Sequence, residues 1–174
     1  MNRASWHITL PNLEATAAFG RALGGALLPG EHVGLVGGLG AGKTTLCHSV
    51  AEGFGVADLR EVASPTYAYA HVYGGPKGSL HHLDFYRLGD VDTAYGLGLD
   101  DLLNDPQAPC IVEWADLFAE LLKPEALWLT LVRTPGSPER ALQMVAPLQR
   151  AQELSPLLPP WVGPYDLVGP AAAL

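Results

Sequence analysis

The segment Gly37-Gly38-Leu39-Gly40-Ala41-Gly42-Lys43-Thr44 holds the densest chemistry in the chain. Gly37 and Gly42 bracket four residues and Lys43 and Thr44 follow, which satisfies G-x-x-x-x-G-K-[ST] at every fixed position. Glycine at positions 37, 38, 40 and 42 lets the backbone take positive φ and come close to a ligand. An apolar run, His32 to Val36, leads in, and a helical stretch from Lys43 to Phe54 leads out. In that setting successive backbone N–H groups and the helix dipole converge on phosphate oxygens. The expected ligand is ATP with Mg²⁺, Lys43 reaching the β and γ phosphates and the Thr44 hydroxyl ligating the metal.

Such a loop also needs an acid at the end of a neighbouring strand. Glu113 closes the apolar run Cys110-Ile111-Val112, and Asp84 follows Leu80-His81-His82-Leu83. Spacing alone does not decide which acid touches metal and which positions water. Between the loop helix and these strands lies Ser64-Pro65-Thr66-Tyr67, where a switch threonine could reach the γ-phosphate or the metal. His81 and His82 have no metal-ligand spacing with other His or Cys and read as packing or surface residues. Trp114 reads as an apolar plug.

The elements that must hold these residues alternate. A strand over Trp6 to Leu10 precedes a helix capped by Asn12 and running to about Leu28, with Pro29-Gly30 ending it. Two strands, Tyr67 to Tyr73 and Ser79 to Phe85, flank the turn Gly74 to Gly78. Helical turns broken at Gly96 and Gly98 follow over Asp92 to Asn104. Then come a buried strand Cys110 to Glu113, a helix Asp116 to Leu122, and strands Ala126 to Val132 and Ala141 to Val145. The pattern predicts a single α/β domain, a mixed, mostly parallel sheet with antiparallel edge strands covered by helices. Residues 1–148 form this domain in that reading. Residues 149–174, rich in Pro and without periodicity, read as a mobile extension, with Trp161 and Tyr165 as candidates for docking.

Composition bounds the rest. The chain of 174 residues is 48% hydrophobic and 16% charged, which is globular and excludes wholesale disorder. A net charge of -8, with only ten Lys and Arg, scattered along the chain, argues against gripping nucleic acid directly. Cys47 and Cys110 fit neither a disulfide framework nor a C-x-x-C site, which suits a reducing compartment. No secretory leader pattern stands at the start, and prolines interrupt the apolar tail, so a cytoplasmic protein without a membrane role is expected.

Taken together these segments resemble the TsaE family, also called YjeE, the small bacterial ATPases of tRNA threonylcarbamoyladenosine biosynthesis. Leu39-Gly40-Ala41-Gly42-Lys43-Thr44-Thr45 looks like the family's Walker A loop, and Ser64-Pro65-Thr66-Tyr67 like its switch. His82-Leu83-Asp84-Phe85-Tyr86-Arg87-Leu88 looks like its Walker B region, and Glu113-Trp114 is similar to its signature pair. Order and spacing agree from about Leu10 to Val145. One position departs: the family usually has Asp or Glu where this chain has Gly38.

The resemblance implies that Thr44 and Glu113 bind Mg²⁺, that Asp84 takes the Walker B role, and that Thr66 senses the nucleotide. Gly38 to Thr45 would surround the phosphates, with Arg140 near the nucleotide. It further implies a weak ATPase, stimulated by the partner proteins TsaB and TsaD, that supports threonylcarbamoyl transfer to adenosine 37 of tRNA. The tRNA would be met only indirectly. In mechanism Lys43 and the loop amides stabilise charge on the transferring phosphoryl, while Thr66 or Asp84 orders the attacking water. Two alternatives stay open: a nucleotide-gated assembly module with negligible turnover, and a small-molecule kinase. Against the kinase, no Arg-rich lid segment appears.

Overall fold

The computed structural model describes residues 2–169. Its centre is one eight-stranded sheet in the order β3-β4-β5-β2-β6-β7-β1-β8. Strand β1 (Arg3–Leu10) is followed by helix α1 (Leu13–Ala26) and strand β2 (His32–Val36). Helix α2 (Lys43–Phe54) leads on to the hairpin β3 (Ala70–Gly75) and β4 (Gly78–Asp84). Short helices α3 (Val91–Gly96) and α4 (Leu99–Leu103) precede β5 (Cys110–Glu113). After β6 (Leu127–Arg133) and β7 (Arg140–Pro147) come helix α5 (Leu148–Leu154) and a last strand, β8 (Asp166–Val168).

The four central strands β4, β5, β2 and β6 run parallel, and both flanks are antiparallel. This is the mixed sheet covered by helices that the alternation predicted. Parallel strands buried on both faces read as continuous apolar runs, and alternate residues of Cys110-Ile111-Val112 serve opposite layers. Ile111 joins the core shared with α1 and α2, through Phe19, Leu23, Leu46 and Val50. Cys110 and Val112 join a second core with Leu99 and Leu103 of α4.

Local signals set several boundaries. The Asn12 side chain accepts a hydrogen bond from Ala15 N–H at 2.9 Å, the N-cap expected of it. Helices α1 and α2 cross so closely that a Cβ at Gly24 would collide with the carbonyl oxygen of Val50, and one at Gly53 with that of Arg21. Among the described residues no helix is long and apolar enough to cross a membrane.

Three expectations are corrected. The strand predicted from Tyr67 begins only at Ala70: residues 66–69 turn instead, with Tyr69 N–H on the Pro65 carbonyl (2.6 Å) and Tyr69 itself at φ 64°. The helix predicted over Asp116 to Leu122 is a 3-10 segment, Ala115–Leu121, broken at Phe118. The segment after residue 148 does not form a loose extension through residue 169. Ala151, Leu154, Leu158 and Val162 are buried in the same core as Trp6 and Ile8, Tyr165 meets the Trp6 ring edge-on at 5.1 Å, and β8 pairs with β1. The prolines fall between these anchors and shape turns, Pro160 opening the 3-10 turn Pro160–Val162. Residues 170–174 of the predicted extension lie outside the described residues.

Candidate functional site

Sheet register assembles the site. Asp84 pairs with Glu113 across β4 and β5, and Glu113 pairs with Leu35 across β5 and β2. Two buried carboxylates therefore stand at the C-terminal ends of adjacent strands, beside the loop that leaves β2. This is the edge where ligands of open α/β sheets collect. A cleft of about 390 Å³ opens there, lined by Lys43, Thr44, Ser64, Thr66, Asp84 and Glu113, with Gly40, Gly42, Thr45 and Leu39 on the loop side and Arg140 and Trp114 at its margin.

The loop has the backbone that its glycines permit. Gly37, Gly40 and Gly42 sit at φ 151°, 75° and 106°, and a Cβ at Gly37 would lie 2.5 Å from the Leu131 carbonyl oxygen. Gly42 caps α2 without any side-chain acceptor, leaving the N–H groups of the first turn unclaimed by a cap. Lys43 is buried; its ammonium donates to the carbonyls of Gly37 (2.7 Å) and Gly38 (3.0 Å) and lies 4.0 Å from the centre of the Trp114 ring. Burial pulls its pKa down, against the opposing pull of Glu113 and Asp84. Trp114 takes a left-handed conformation (φ 57°), and its ring packs on Tyr86 at 4.8 Å.

The Thr44 hydroxyl is shared between Oε1 (3.1 Å) and Oε2 (3.0 Å) of Glu113. This couple of oxygen donors is the chemistry a hard divalent cation takes. Asp84 is occupied differently: its Oδ2 accepts from Ser64 (2.6 Å) and Thr66 (2.7 Å), and its Oδ1 from Tyr86 N–H (2.8 Å). Thr66 thus lies on Asp84, not on the Thr44–Glu113 pair. Arg140 binds the loop itself, Nε donating to the Ala41 carbonyl at 3.0 Å. Gly38 and Ala41 do not line the cleft; Ala41 is buried in the core, and Gly38 has open space around its Cβ position.

One buried partner was not foreseen. His82, read from sequence as packing or surface, donates Nε2–H to Glu113 Oε1 at 2.9 Å, and its Nδ1 lies 3.2 Å from the Tyr73 hydroxyl. Its place two residues before Asp84 on the same strand face was the available signal. A second cavity, about 560 Å³, lies at the opposite edge of the sheet, lined by Glu31, His32, Lys123, Leu148 and Arg150 among others, and takes in none of the predicted site residues.

A glycine loop between a central parallel strand and a long helix, facing two strand-end carboxylates, defines a P-loop NTPase fold. The family model described as "Threonylcarbamoyl adenosine biosynthesis protein TsaE" matches residues 10–142. The chain is 36% identical over 146 residues to the tRNA threonylcarbamoyladenosine biosynthesis protein TsaE of Bacillus subtilis, covering 84% of this chain and 87% of that one. It is 41% identical over 120 residues to the Streptomyces coelicolor protein of the same name, with 67% and 78% covered. The crystal structure of YdiB from Bacillus subtilis superposes with a TM-score of 0.66 at 30% identity, over 90% of this chain and 94% of that one. The chain belongs to the TsaE family.

Proposed function

We propose that this protein binds ATP with Mg²⁺ in the loop cleft, hydrolyses it slowly, and acts in tRNA threonylcarbamoyladenosine biosynthesis. The single observation carrying the reading is the cleft itself. An uncapped helix start and a positive-φ glycine loop face a Thr44–Glu113 oxygen pair, with Lys43 between them. The names of the curated relatives supply the pathway.

In this reading the amides of Gly40 and of Gly42 to Thr45 take the phosphate oxygens, while that of Ala41 holds the loop through the Gly38 carbonyl at 3.1 Å. Lys43 exchanges its contacts to the Gly37 and Gly38 carbonyls for phosphate, and Arg140 keeps the loop in shape through Ala41. Thr44 and Glu113 would hold the metal, and bound Mg²⁺ would supply neutralisation of phosphate charge. Asp84, with Thr66 and Ser64 on one of its oxygens, holds a water and reports whether the γ-phosphate is present.

TsaB and TsaD are the proposed partners, with transfer to adenosine 37 carried out by TsaD. The acidic chain, at a net charge of -8, meets tRNA through them. The two buried cysteines are free, in keeping with the cytoplasm. The test is ATP hydrolysis and tRNA modification in reconstituted mixtures with and without TsaB and TsaD, for wild type, Lys43→Ala and Glu113→Ala. Turnover should be slow alone, rise with the partners, and fall in both variants. Full ATP binding and hydrolysis by Lys43→Ala would sink the reading.

A further inference from the structure

Glu113 is a buried carboxylate at the end of a four-residue strand. A free glutamate has three rotatable side-chain bonds, and fixing them on ligand binding costs conformational entropy. Here its Oε1 is held from both sides, by Thr44 in front and by His82 behind. The register explains the reach: His82 pairs with Ile111 and Asp84 with Glu113, so the imidazole sits two residues further back, diagonal to Glu113 on the same face.

His82 is itself anchored. It is buried, does not line the cleft, and has a partner on each ring nitrogen. The Tyr73 hydroxyl that meets Nδ1 also lies 3.2 Å from the carbonyl oxygen of Ala63, the residue before the Ser64-Pro65-Thr66 segment. Burial raises the Tyr73 hydroxyl to about 12, so it carries its proton at neutral pH; that one proton serves either the Ala63 carbonyl or His82 Nδ1, and His71 Nδ1 lies 3.2 Å from the same oxygen. Cys47 closes the third side: the ligand-type atoms of Cys47, His82 and Glu113 lie within 4.8 Å of one another. Burial and the neighbouring Glu113 push its thiol well up, so it stays a neutral S–H.

We infer that His82 is a positioning residue that aims Glu113 toward the cation position beside Thr44, with Tyr73 holding the imidazole in place. This rests on the reading of Thr44 and Glu113 as the metal-holding pair. A residue behind a metal ligand fixes its orientation, and losing it typically weakens metal binding about 10–100-fold. The effect belongs to the metal and not to the nucleotide, because His82 has no place in the cleft wall.

The test is the Mg²⁺ dependence of binding of a fluorescent, non-hydrolysable ATP analogue to the full chain, with melting temperature as a folding control. The variants are His82→Asn, His82→Gln, Tyr73→Phe and Glu113→Gln. In EDTA, the His82 and Tyr73 variants, none of them at a residue lining the cleft, should bind the analogue within about twofold of wild type. The Mg²⁺ concentration giving half of the metal-dependent tightening should rise at least about tenfold in His82→Asn, whose amide stops short of Glu113. It should stay within about threefold in His82→Gln, whose longer amide restores a donor there, with Tyr73→Phe between the two. If His82→Asn titrates like wild type while Glu113→Gln is shifted, the positioning role is refuted and the metal-holding pair stands. If Glu113→Gln also titrates like wild type, the metal-holding pair itself is wrong. If Gln rescues no better than Asn, and both lower the melting temperature alike, His82 is a packing residue only and the inference fails.

Discussion

Replacing Leu154 with Ala tests whether the segment beyond β7 belongs to the folded domain. Leu154 has 0% of its surface exposed and is packed in the core that contains Trp6, Ile8, Ala151 and Leu158. Truncation removes buried methyl groups and leaves a cavity that neighbours refill only in part, a loss of about 3 kcal/mol within a range of about 2–5. For a chain of this size each kcal/mol is worth about 2–4 °C in melting temperature, so the variant should melt roughly 6–12 °C lower. Leu157, three residues on, is 55% exposed, and the same Leu→Ala change there should cost no more than about 0.5 kcal/mol. The assay is thermal unfolding by far-ultraviolet circular dichroism without nucleotide, backed by urea titration. Melting temperatures for Leu154→Ala and Leu157→Ala within about 1 °C of each other would refute the packing of this segment.

In the loop, Gly37→Ala should weaken nucleotide binding at least about tenfold, about 1.4 kcal/mol. Its new Cβ would meet the Leu131 carbonyl at 2.5 Å with the backbone at φ 151°; Gly38→Ala, in open space, should bind within about twofold of wild type by the same titration. Gly38→Glu, which introduces an acid of the kind the family usually carries there, should leave the melting temperature unchanged for the same steric reason. Thr66→Val deletes a 2.7 Å hydrogen bond to Asp84, and steady-state kinetics should show turnover down about tenfold or more with ATP affinity nearly constant. His32 should make the fold acid-sensitive. Its Nδ1 accepts from Lys123 N–H and its Nε2–H donates to the Leu103 carbonyl, a neutral ring, and burial pulls its pKa below 6.5. The unfolded chain takes up a proton near 6.5 that the folded chain refuses. Stability from this group is therefore full above that pH and falls as pH drops toward the folded value, by up to about 1.4 kcal/mol per unit. Urea unfolding at pH 7.5, 6.5 and 5.5 (chosen at roughly unit spacing to span that window) should show a shallower loss for His32→Gln than for wild type.

The Lys43 contacts bear on how the proposed activity would be restrained. A cation aimed at its own loop carbonyls and lying over the Trp114 ring is already paired, so phosphate must outcompete those contacts. A partner that displaced Trp114 would loosen one of them. That gives the proposed stimulation by partner proteins a physical route through the Glu113-Trp114 strand end.

The features legible along the chain are those that a few neighbouring residues settle. The loop glycines, the Asn12 cap, the apolar β2 and β5 runs and the acids closing β4 and β5 are local patterns, and the structure places each element where spacing put it. Tertiary structure alone decided which acid serves which partner. Thr44 meets Glu113 across 69 residues and Thr66 meets Asp84 across 18, because register sets the two acids side by side and the packing of α2 and of the 66–69 turn brings each threonine to its own acid; no short-range preference encodes either. His82, read as packing or surface, is buried, but its bond to a carboxylate 31 residues away went unread for that reason: its place two residues before Asp84 gives its strand face and not its partner. The end of the chain was misread for another. Its prolines rule out a long helix, but Leu148, Ala151, Leu154, Leu158 and Val162 recur at intervals of three and four, and the groove beside β1 buries most of them. Proline forbids a regular element; it does not forbid burial, and only the packed core shows that burial won.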